Sequence, residues 1–340
     1  MSTQTLDIES LQRYLKGRLP DFAGNLTAEK FPGGQSNPTF LLSDGSQRWV
    51  LRRKPPGELL ASAHAVDREY RVMTALSDTD VPVAKTYLLC EDESVIGSMF
   101  YVMEHLDGRV LWDPQLPEIA SNAERAAMYE EMNRVLAALH NVDVDAVGLS
   151  DFGRPGNYYE RQISRWTKQY RASETDHSPA METLIAWLPA NTPPDDGAVS
   201  LVHGDYRLDN LMFHATEPRV IGVLDWELST LGHPLADLAY QVMAWQLPNE
   251  GGLRGLMGID RAAIGLPSDD AYVRRYCELT GREGIDNWNF YLVFCFFRLA
   301  AILQGVKKRA LIGTASSPEA EARGAMVDPL ADFGVKLISA

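Results

Sequence analysis

Cysteine is scarce in this sequence. The 340-residue chain has three cysteines, Cys90, Cys277 and Cys295, which lie far apart and form no Cys-x-x-Cys pair. Without paired cysteines the chain has neither a disulfide framework nor the ligand spacing of a structural zinc site. A small disulfide-stapled secreted domain is therefore excluded, and a cytoplasmic location in a reducing compartment is predicted.

Positive charge is also in deficit. Lysine and arginine number 32 against 46 aspartate and glutamate residues, so the formal net charge is −14 at pH 7. Non-specific binding to nucleic acid or to an anionic membrane surface needs a basic face, and this balance argues against both. A local basic pocket for a phosphate or a CoA-like anion stays compatible with it.

Long apolar runs are lacking as well. The N-terminal stretch MSTQTLDIESLQRYLKG has no signal-peptide core, and it predicts a short amphipathic helix with Asp7 as a candidate N-cap. The most apolar stretch, Phe290–Leu303, is interrupted by Arg298 and is too short to span a bilayer. We expect it to be a buried helix, and we expect no membrane partner.

The remaining composition is that of a folded protein, with 45% hydrophobic and 23% charged residues. Strand-like runs such as RWVLR, Arg48–Arg52, are typical of the first hundred residues, whereas helical periodicity dominates later, beginning at Asn122–His140. This order predicts a sheet-rich nucleotide-binding lobe, residues 1–105, and a larger helical lobe, residues 106–340. A ligand site is expected in the cleft between such lobes.

One stretch sets polar groups between apolar anchors. Leu201–Phe213 reads LVHGDYRLDNLMF, in which His203, Asp205 and Asn210 lie between two short hydrophobic runs. Burying such groups is costly unless each has a partner, and the spacing suggests that the partner is a ligand. The pattern His-x-Asp-x4-Asn is also that of the loop that orients the attacking hydroxyl in phosphoryl transfer.

Other parts of a phosphotransfer site occur in the matching chain order. A Gly-rich turn at Gly33 and Gly34 comes first, the next strand ends in the cation Arg52, and Glu69 lies on the following helix. A cation that binds the phosphates and a glutamate that pairs with it are both required for transfer from ATP. The order of these residues therefore favours an ATP-dependent reaction.

A metal-binding carboxylate completes the order. Asp225 ends a strand twenty residues after Asp205, in the sequence VIGVLDWE. Mg²⁺ prefers a few oxygen ligands from the protein and takes the rest from phosphates and water. Asn210 and Asp225 are therefore the candidate magnesium ligands.

The sequence LVHGDYRLDNLMF followed by VIGVLDWELSTLGHPLADLAY resembles the aminoglycoside phosphotransferase-like (kinase-like) family. FPGGQSNPTFLL, WVLRRKPPG and DFGRPGNYYERQISRW resemble the branch of phosphotransferase domains that are fused to some acyl-CoA dehydrogenases. The likeness covers roughly residues 8–312. It implies an α+β, two-lobed protein-kinase-like fold with a small N-terminal antiparallel-sheet lobe, and an ATP-dependent phosphotransferase that acts on a small-molecule hydroxyl.

The resemblance also implies a role for each matching residue. Asp205 would be the catalytic base or hydroxyl-orienting carboxylate, and Asn210 and Asp225 would hold Mg²⁺. Asp237 would be structural and brace the catalytic loop. The residues implied to bind ATP are Gly34, Ser36, Asn37, Arg52, Glu69 as the partner of the cation, and the backbone groups of Glu104 and Leu106.

One residue departs from the family pattern. The strand cation of kinases is commonly lysine, and here the best-aligned residue is Arg52, followed by Arg53 and Lys54. Arginine keeps the charge and can bind a phosphate through two N–H groups. The departure leaves open a non-catalytic pseudokinase that binds a nucleotide or an acyl-CoA.

Two other chemistries compete with this interpretation. A metallohydrolase built on His203, Asp205 and Asp225 is disfavoured, because the seven histidines include no His-x-His or His-Glu-x-x-His pattern. A protein kinase is disfavoured, because WELSTLGHPLADLAY follows Asp225 without an activation loop ending in Ala-Pro-Glu. The DFG triplet at residues 151–153 precedes the His-Gly-Asp loop and is rejected as the metal site.

The acceptor stays open at this point. The family includes enzymes for aminoglycoside-like alcohols, whereas the branch implies a hydroxyacyl-CoA or a related metabolite, with an acyl-CoA dehydrogenase as a partner in the same pathway. The acidic composition by itself would suit a cationic acceptor. The roles of Tyr206, Arg207 and Glu227 are also open, and Arg207 could neutralise substrate charge or pair with a neighbouring carboxylate.

Overall fold

A computed structural model of the protein describes residues 6–31, 37–55, 65–249, 253–313 and 320–339. Gly33, Gly34 and Ser36 of the predicted Gly-rich turn lie outside these ranges, whereas Asn37 lies inside them. The elements are numbered in chain order. The strands are β1 Thr27–Lys30, β2 Thr39–Ser43, β3 Arg48–Arg53, β4 Thr86–Cys90, β5 Phe100–Glu104, β6 Gly108–Val110, β7 Ser200–Val202, β8 Leu211–His214, β9 Val220–Val223 and β10 Thr230–Gly232. The helices are α1 Ile8–Leu15, α2 Val66–Leu76, α3 Asn122–His140, α4 Tyr158–Ser173, α5 Pro179–Ala190, α6 Leu235–Trp245, α7 Asp269–Thr280, α8 Trp288–Leu311, α9 Ala320–Gly324 and α10 Val327–Ser339.

The chain divides into two compact units. The first consists of Met1–Arg109 and Leu211–Ser229, and the second of Val110–Asn210 and Thr230–Ala340. The predicted functional boundary at residue 105 stays a prediction. The first unit also takes in the hairpin β8–β9, a segment that the sequence interpretation left with the helical lobe.

The first unit is built on an antiparallel sheet with the strand order β1-β2-β3-β5-β4. On β3, apolar side chains such as Leu51 are fully buried. The register sets Arg52 opposite Thr39 of β2 and opposite Tyr101 of β5. The strand that carries Arg52 therefore lies between β2 and β5. Helix α2 packs against β5.

Helix α1 adds to the same core. Asp7 accepts a hydrogen bond from the backbone N–H of Ser10 at 3.0 Å, as the predicted N-cap requires. Leu11 and Leu15, one turn apart, are fully buried in a cluster with Trp49 of β3. The short amphipathic helix expected from the sequence is thus a cover for one end of the sheet core.

Helix α8 is the central element of the second unit. It packs against α4, α5, α6, α9 and α10. One helix of the described residues, Trp288–Leu311, is long and apolar enough to cross a membrane, and 78% of its most apolar window is buried inside the protein. The sequence prediction of a buried helix agrees with this burial, but the argument from length was wrong, because the helix has 24 residues.

One loop begins later than its composition predicts. The run PANTPPDDG, residues 189–197, was expected to be a loop throughout, yet α5 continues to Ala190 and contains Pro189. Proline lacks an N–H and its ring crowds the carbonyl four residues earlier, and the helix ends one residue after Pro189. At its start, Ser178 accepts from Met181 N and Pro179 occupies the first turn, which is the usual arrangement of a capped helix.

Candidate functional site

In the first unit, Arg52 is surrounded by carboxylates. Its Nε lies 2.8 Å from Glu69 Oε2, and its Nη2 lies 2.9 Å from Asp225 Oδ1. Glu227 Oε2 is 4.0 Å from the same Nη2. Burial lowers the pKa of Arg52, but the surrounding Glu69, Tyr101 and carboxylates raise it more. Arg52 therefore stays a cation and joins the helix glutamate to the predicted metal ligand.

Glu69 is held from three sides. Its side chain is 2% exposed and faces Arg52 from α2. Asn37 Nδ2 donates to Glu69 Oε1 at 2.7 Å, and the Tyr101 hydroxyl donates to Oε2 at 3.1 Å. Burial raises the pKa of Glu69, whereas Arg52 and the Asn37 and Tyr101 hydrogen bonds act in the opposite direction. Of the residues predicted to bind ATP, the structure thus brings Asn37, Arg52 and Glu69 together.

Asp225 has an unusual backbone. It follows β9 with φ 63° and ψ 62°, the left-handed region, and leads into the short 3-10 helix Trp226–Leu228. Aspartate is one of the few residues that tolerate this conformation, and such strain is often found at functional sites. The Asp225 side chain is 38% exposed, far more than Glu69. An accessible, hard carboxylate donor fits a magnesium ligand.

The segment after β5 is the predicted adenine contact. The N–H of Glu104 donates to Lys85 O at 2.8 Å, and Glu104 Oε2 accepts from Lys85 N at 3.3 Å. The Leu106 side chain packs on Gly222 of β9, where an added Cβ would be 2.5 Å from Leu106 Cδ1 and would require this side chain to shift. The adenine-binding roles of Glu104 and Leu106 stay predictions.

In the second unit, the His-Gly-Asp loop is anchored on Asp237 of α6. Asp237 Oδ2 accepts from His203 N at 2.6 Å, and its Oδ1 accepts from Gly204 N at 2.8 Å. His140 Nε2 lies 3.3 Å from Oδ2. Gly204 has φ +84°, which a residue with a side chain rarely adopts. These bonds are the bracing that the sequence interpretation assigned to Asp237.

Asp205 is held by its own loop. Asn210 Nδ2 donates to Asp205 Oδ2 at 3.1 Å and to the Asp205 carbonyl at 2.8 Å. Asp205 N donates to His203 Nδ1 at 3.2 Å, so this histidine nitrogen is a loop acceptor. His203 is fully buried, which agrees with packing rather than metal binding. Because the Asn210 nitrogen is engaged, a metal would meet this residue through its amide oxygen.

Arg298 adds a contact from the core helix. Its Nη2 donates to Gly204 O at 2.7 Å, and its guanidinium carbon lies 5.3 Å from the centre of the Tyr240 ring. Burial raises the pKa of the Tyr240 hydroxyl, and the negative charge of nearby Asp205 raises it further. Sequence reasoning missed Arg298 and Tyr240, which come from α8 and α6. An arginine inside an apolar helix was the available signal, because it needs a buried partner.

Tyr206 and Arg207, the two motif residues whose roles the sequence left undecided, lie in different environments. Tyr206 is buried, and its hydroxyl donates to Met132 O at 2.8 Å, so it anchors the loop to α3. Arg207 lies between two carboxylates, with Nε 3.3 Å from Asp205 Oδ1 and Nη2 2.9 Å from Asp209 Oδ2. Tyr206 is thus structural, whereas Arg207 sits beside the predicted catalytic carboxylate.

The DFG triplet is part of a packed turn. Phe152 is 1% exposed, and a Cβ at Gly153 would lie 2.5 Å from the backbone nitrogen of Leu231. Aromatic burial and tight backbone packing account for these residues without a ligand. The structure therefore gives no reason to revise the rejection of this triplet.

Comparison of the whole chain with solved structures defines the class of fold. A crystal structure from Ralstonia eutropha JMP134, of a candidate aminoglycoside phosphotransferase, superposes with a TM-score of 0.91 and 53% identity over 98% of this chain and 99% of that one. Aminoglycoside phosphotransferase APH(4)-Ia, solved with AMP-PNP and hygromycin B, superposes with a TM-score of 0.63 and 15% identity over 97% and 99%. The protein has the kinase-like aminoglycoside phosphotransferase fold, as predicted.

The chain belongs to the phosphotransferase enzyme family, whose sequence profile matches residues 27–285. Acyl-CoA dehydrogenase family member 10 of Mus musculus is 48% identical over 333 residues, which is 97% of this chain and 31% of that protein. The chain thus spans about a third of the length of this relative. The family resemblance inferred from the sequence motifs is confirmed.

Proposed function

We propose that this protein transfers the γ-phosphoryl group of ATP to a hydroxyl of a small molecule. The observation that carries the proposal is the position of Arg52, which contacts both Glu69 and Asp225 within 3 Å. A kinase site needs a fixed cation for the phosphates and a glutamate that holds it, and this pair meets both needs. The family and the fold support phosphotransfer to small molecules in general.

Arginine suits this position for a geometric reason. Its planar guanidinium presents several N–H groups in a fixed fork, so one side can bind Glu69 while another binds an anion. Lysine offers a single point charge. The ion pair with Glu69 is formed at 2.8 Å, so the replacement of lysine by arginine is accommodated rather than disruptive. This favours an enzyme over the pseudokinase alternative.

Asp205 would orient the acceptor hydroxyl and accept its proton. Its carboxylate is about a quarter exposed and is fixed by Asn210, while the loop backbone is fixed by Asp237. Holding a reacting group in one geometry lowers the entropic part of the barrier. In phosphoryl transfer, positioning and electrostatic stabilisation supply most of the rate enhancement.

Asn210 and Asp225 would hold Mg²⁺. Both offer oxygen donors, and Asp225 is the exposed carboxylate of the Arg52 cluster, so the donor set fits the ion. When bound, the ion neutralises phosphate charge during transfer.

The acceptor class follows from the relatives. A mouse relative carries the name of an acyl-CoA dehydrogenase, and this chain aligns with part of its length. We infer that the acceptor is a hydroxyacyl-CoA or a related hydroxylated acid, and that an acyl-CoA dehydrogenase acts in the same pathway. An aminoglycoside-like alcohol is the other acceptor that the fold suggests.

The test compares Asp205→Asn with wild type in Mg-ATP consumption assays on hydroxyacyl-CoAs, hydroxy acids, amino alcohols, aminoglycosides and sugars. We expect at least a hundredfold loss of turnover in the variant, because general-base catalysis supplies about this factor. AMP-PNP binding in the presence of Mg²⁺ should be retained. Asp107→Asn is the matched control, since Asp107 is an exposed carboxylate that pairs only at the surface with Arg48.

Two results would contradict the proposal. Full turnover in Asp205→Asn would remove the role given to this carboxylate. If wild type binds AMP-PNP but a single-turnover experiment with labelled ATP gives no phosphorylated product from any acceptor, the protein is a nucleotide-binding pseudokinase.

A further inference from the structure

The second unit contains a cavity of about 300 Å³ next to the catalytic loop. This volume is at the lower end of the range of small-molecule sites. Arg207 and Leu208 line it, and both belong to the loop that also carries Asp205. Tyr240, whose pKa is raised by burial and by the nearby Asp205 carboxylate, also lines the cavity.

The charged lining of the cavity is mainly cationic. Three arginines, Arg207, Arg254 and Arg323, face it together with a single carboxylate, Asp209. The chain as a whole has a formal net charge of −14, so three arginines around one cavity run against the composition. Such a lining attracts an anion and repels a cation.

Two of these arginines belong to a series of contacts that begins at the predicted catalytic carboxylate. Arg207 bridges Asp205 and Asp209 at 3.3 and 2.9 Å. Asp209 Oδ2 is 4.0 Å from Arg254 Nη1, and the Arg254 guanidinium carbon lies 4.7 Å from the centre of the Trp112 ring. Trp112 is 56% exposed, so this stack is open to solvent.

Asp209 alone does not account for this arrangement. Its closest partner is Arg207, whereas Arg254 is at the limit of an ion pair and has half of its side chain exposed. A half-exposed pair at this distance contributes little to stability. Arg254 is therefore placed where an incoming anion can bind it without breaking a strong internal bond.

The cavity also has an apolar lining. Met243 and Trp245 of α6 and Leu303 of α8 are buried and line the cavity. A ligand that fills the site would therefore combine an anionic group with an aliphatic chain. A polycationic sugar matches neither the charge nor the apolar wall.

We propose that this cavity is the acceptor pocket and that Arg254, together with Arg207, selects acceptors with an anionic group on a short aliphatic chain. The inference rests on the proposed function for the reaction itself and adds the cavity and the side chains that would recognise the acceptor. Arg207 would also connect acceptor binding to Asp205, because its Nε contacts this carboxylate. An anion that draws Arg207 toward itself loosens its hold on the carboxylate that receives the acceptor hydroxyl.

The experiment measures binding by calorimetry with eight-carbon probes that differ in charge: octanoate, octanol, octylamine and octanoyl-CoA, with free CoA as a further arm. We expect octanoate to bind at least about tenfold more tightly than octylamine. Arg254→Gln should weaken octanoate binding about tenfold, the usual effect of losing a charge-assisted hydrogen bond. Arg275→Gln is the matched control, since Arg275 is exposed in a surface ion pair with Glu130 and does not line the cavity.

A second readout separates selection from folding. With a hydroxylated acid as acceptor, Arg254→Gln should raise the KM for that acid about tenfold with a smaller change in kcat. The melting temperature of each variant without ligand shows whether it is folded. Octanoyl-CoA and free CoA distinguish an anion on the acyl chain from the phosphates of CoA.

The possible failures are distinguishable. Equal or tighter binding of octylamine, or unchanged octanoate affinity in Arg254→Gln, would overturn the pocket assignment. Phosphorylation of cationic acceptors alone would do the same while leaving the proposed function intact. If octanoate binds as expected but no hydroxylated acid is phosphorylated, the anion site stands and the proposed function fails.

Discussion

Arg52 shows how one side chain can serve two partners. Its guanidinium forms an ion pair with buried Glu69 and donates a hydrogen bond through Nη2 to exposed Asp225. The Glu69 carboxylate is 2% exposed, so the cost of burying its charge is offset by its contacts with Arg52, Asn37 and Tyr101. Removing one partner of a buried pair leaves an uncompensated charge and is far more costly than removing an exposed pair.

We expect Arg52→Ala to lower the free energy of unfolding by about 3 kcal/mol. Arg52→Ala combined with Glu69→Gln should lose less than Arg52→Ala alone, because the double variant leaves no buried charge. Urea unfolding of wild type and of both variants at pH 7.5 measures these losses. Arg48→Ala on the same strand is the control, since its pair with Asp107 is exposed and should contribute no more than about 1 kcal/mol.

The prediction has a clear contrary result. If Arg52→Ala and Arg48→Ala lose the same free energy, then Glu69 is not dependent on Arg52. A double variant less stable than Arg52→Ala would lead to the same conclusion.

At the scale of elements, the first turn of α6 supports the catalytic loop. Asp237 in this turn accepts from two backbone groups of the loop. Just before the helix, His233 Nδ1 accepts from Leu235 N at 3.3 Å, and its Nε2 lies 3.3 Å from Asp196 Oδ1. The ring therefore carries its proton on Nε2 and needs a lone pair on Nδ1.

Burial lowers the pKa of His233 below its ordinary value of 6.5, while Asp196 acts in the opposite direction. In the unfolded chain the histidine takes up a proton near pH 6.5, whereas in the folded protein it does so only at lower pH. The stability that the neutral ring provides is therefore complete above pH 6.5. It is lost as the pH falls through the folded-state pKa.

We expect His233→Asn to flatten the fall in stability below pH 6.5, because asparagine keeps a side-chain acceptor near Leu235 N without titrating. The slope should decrease by up to about 1.4 kcal/mol per pH unit. Urea unfolding of wild type and variant between pH 8 and pH 5 measures it. A constant loss at all pH values would show that packing against Tyr291, and not titration, is what the histidine contributes.

At the scale of the whole molecule, the two units hold different parts of the proposed chemistry. The first carries Arg52, Glu69 and Asp225, and the second carries Asp205, Asn210 and the arginine-lined cavity. The family profile matches residues 27–285, and the phosphotransferase fold of the Ralstonia eutropha structure covers 98% of the chain. The dehydrogenase name belongs to a relative about three times as long.

We expect this chain by itself to give no dye reduction dependent on an acyl-CoA, because its fold is that of a phosphotransferase throughout the matched length. The measurement is a dye-linked assay with acyl-CoAs of several chain lengths, with a known acyl-CoA dehydrogenase as positive control. Dye reduction by the purified chain that disappears on heat unfolding would contradict this expectation.

Some helices and strands could be predicted from the sequence, and others could not. Helix α3, Asn122–His140, was predicted with its observed bounds, because its apolar periodicity and its end signals agree. The strand that carries Arg52 was predicted within one residue. The hairpin strand β8 and the helix α7 were not identified, since short or weakly periodic segments depend on tertiary packing.

The sequence by itself determined which residues are candidates for the site and their order along the chain, because Arg52, Glu69, Asp205, Asn210 and Asp225 follow a spacing that local turns and strands impose. The contact of Arg298 with Gly204 and that of Arg254 with Asp209 were decided by the tertiary structure alone. Arg298 is 94 residues from Gly204 along the chain. Such pairs form only when helices pack, and no periodicity or local propensity records which distant side chains will meet.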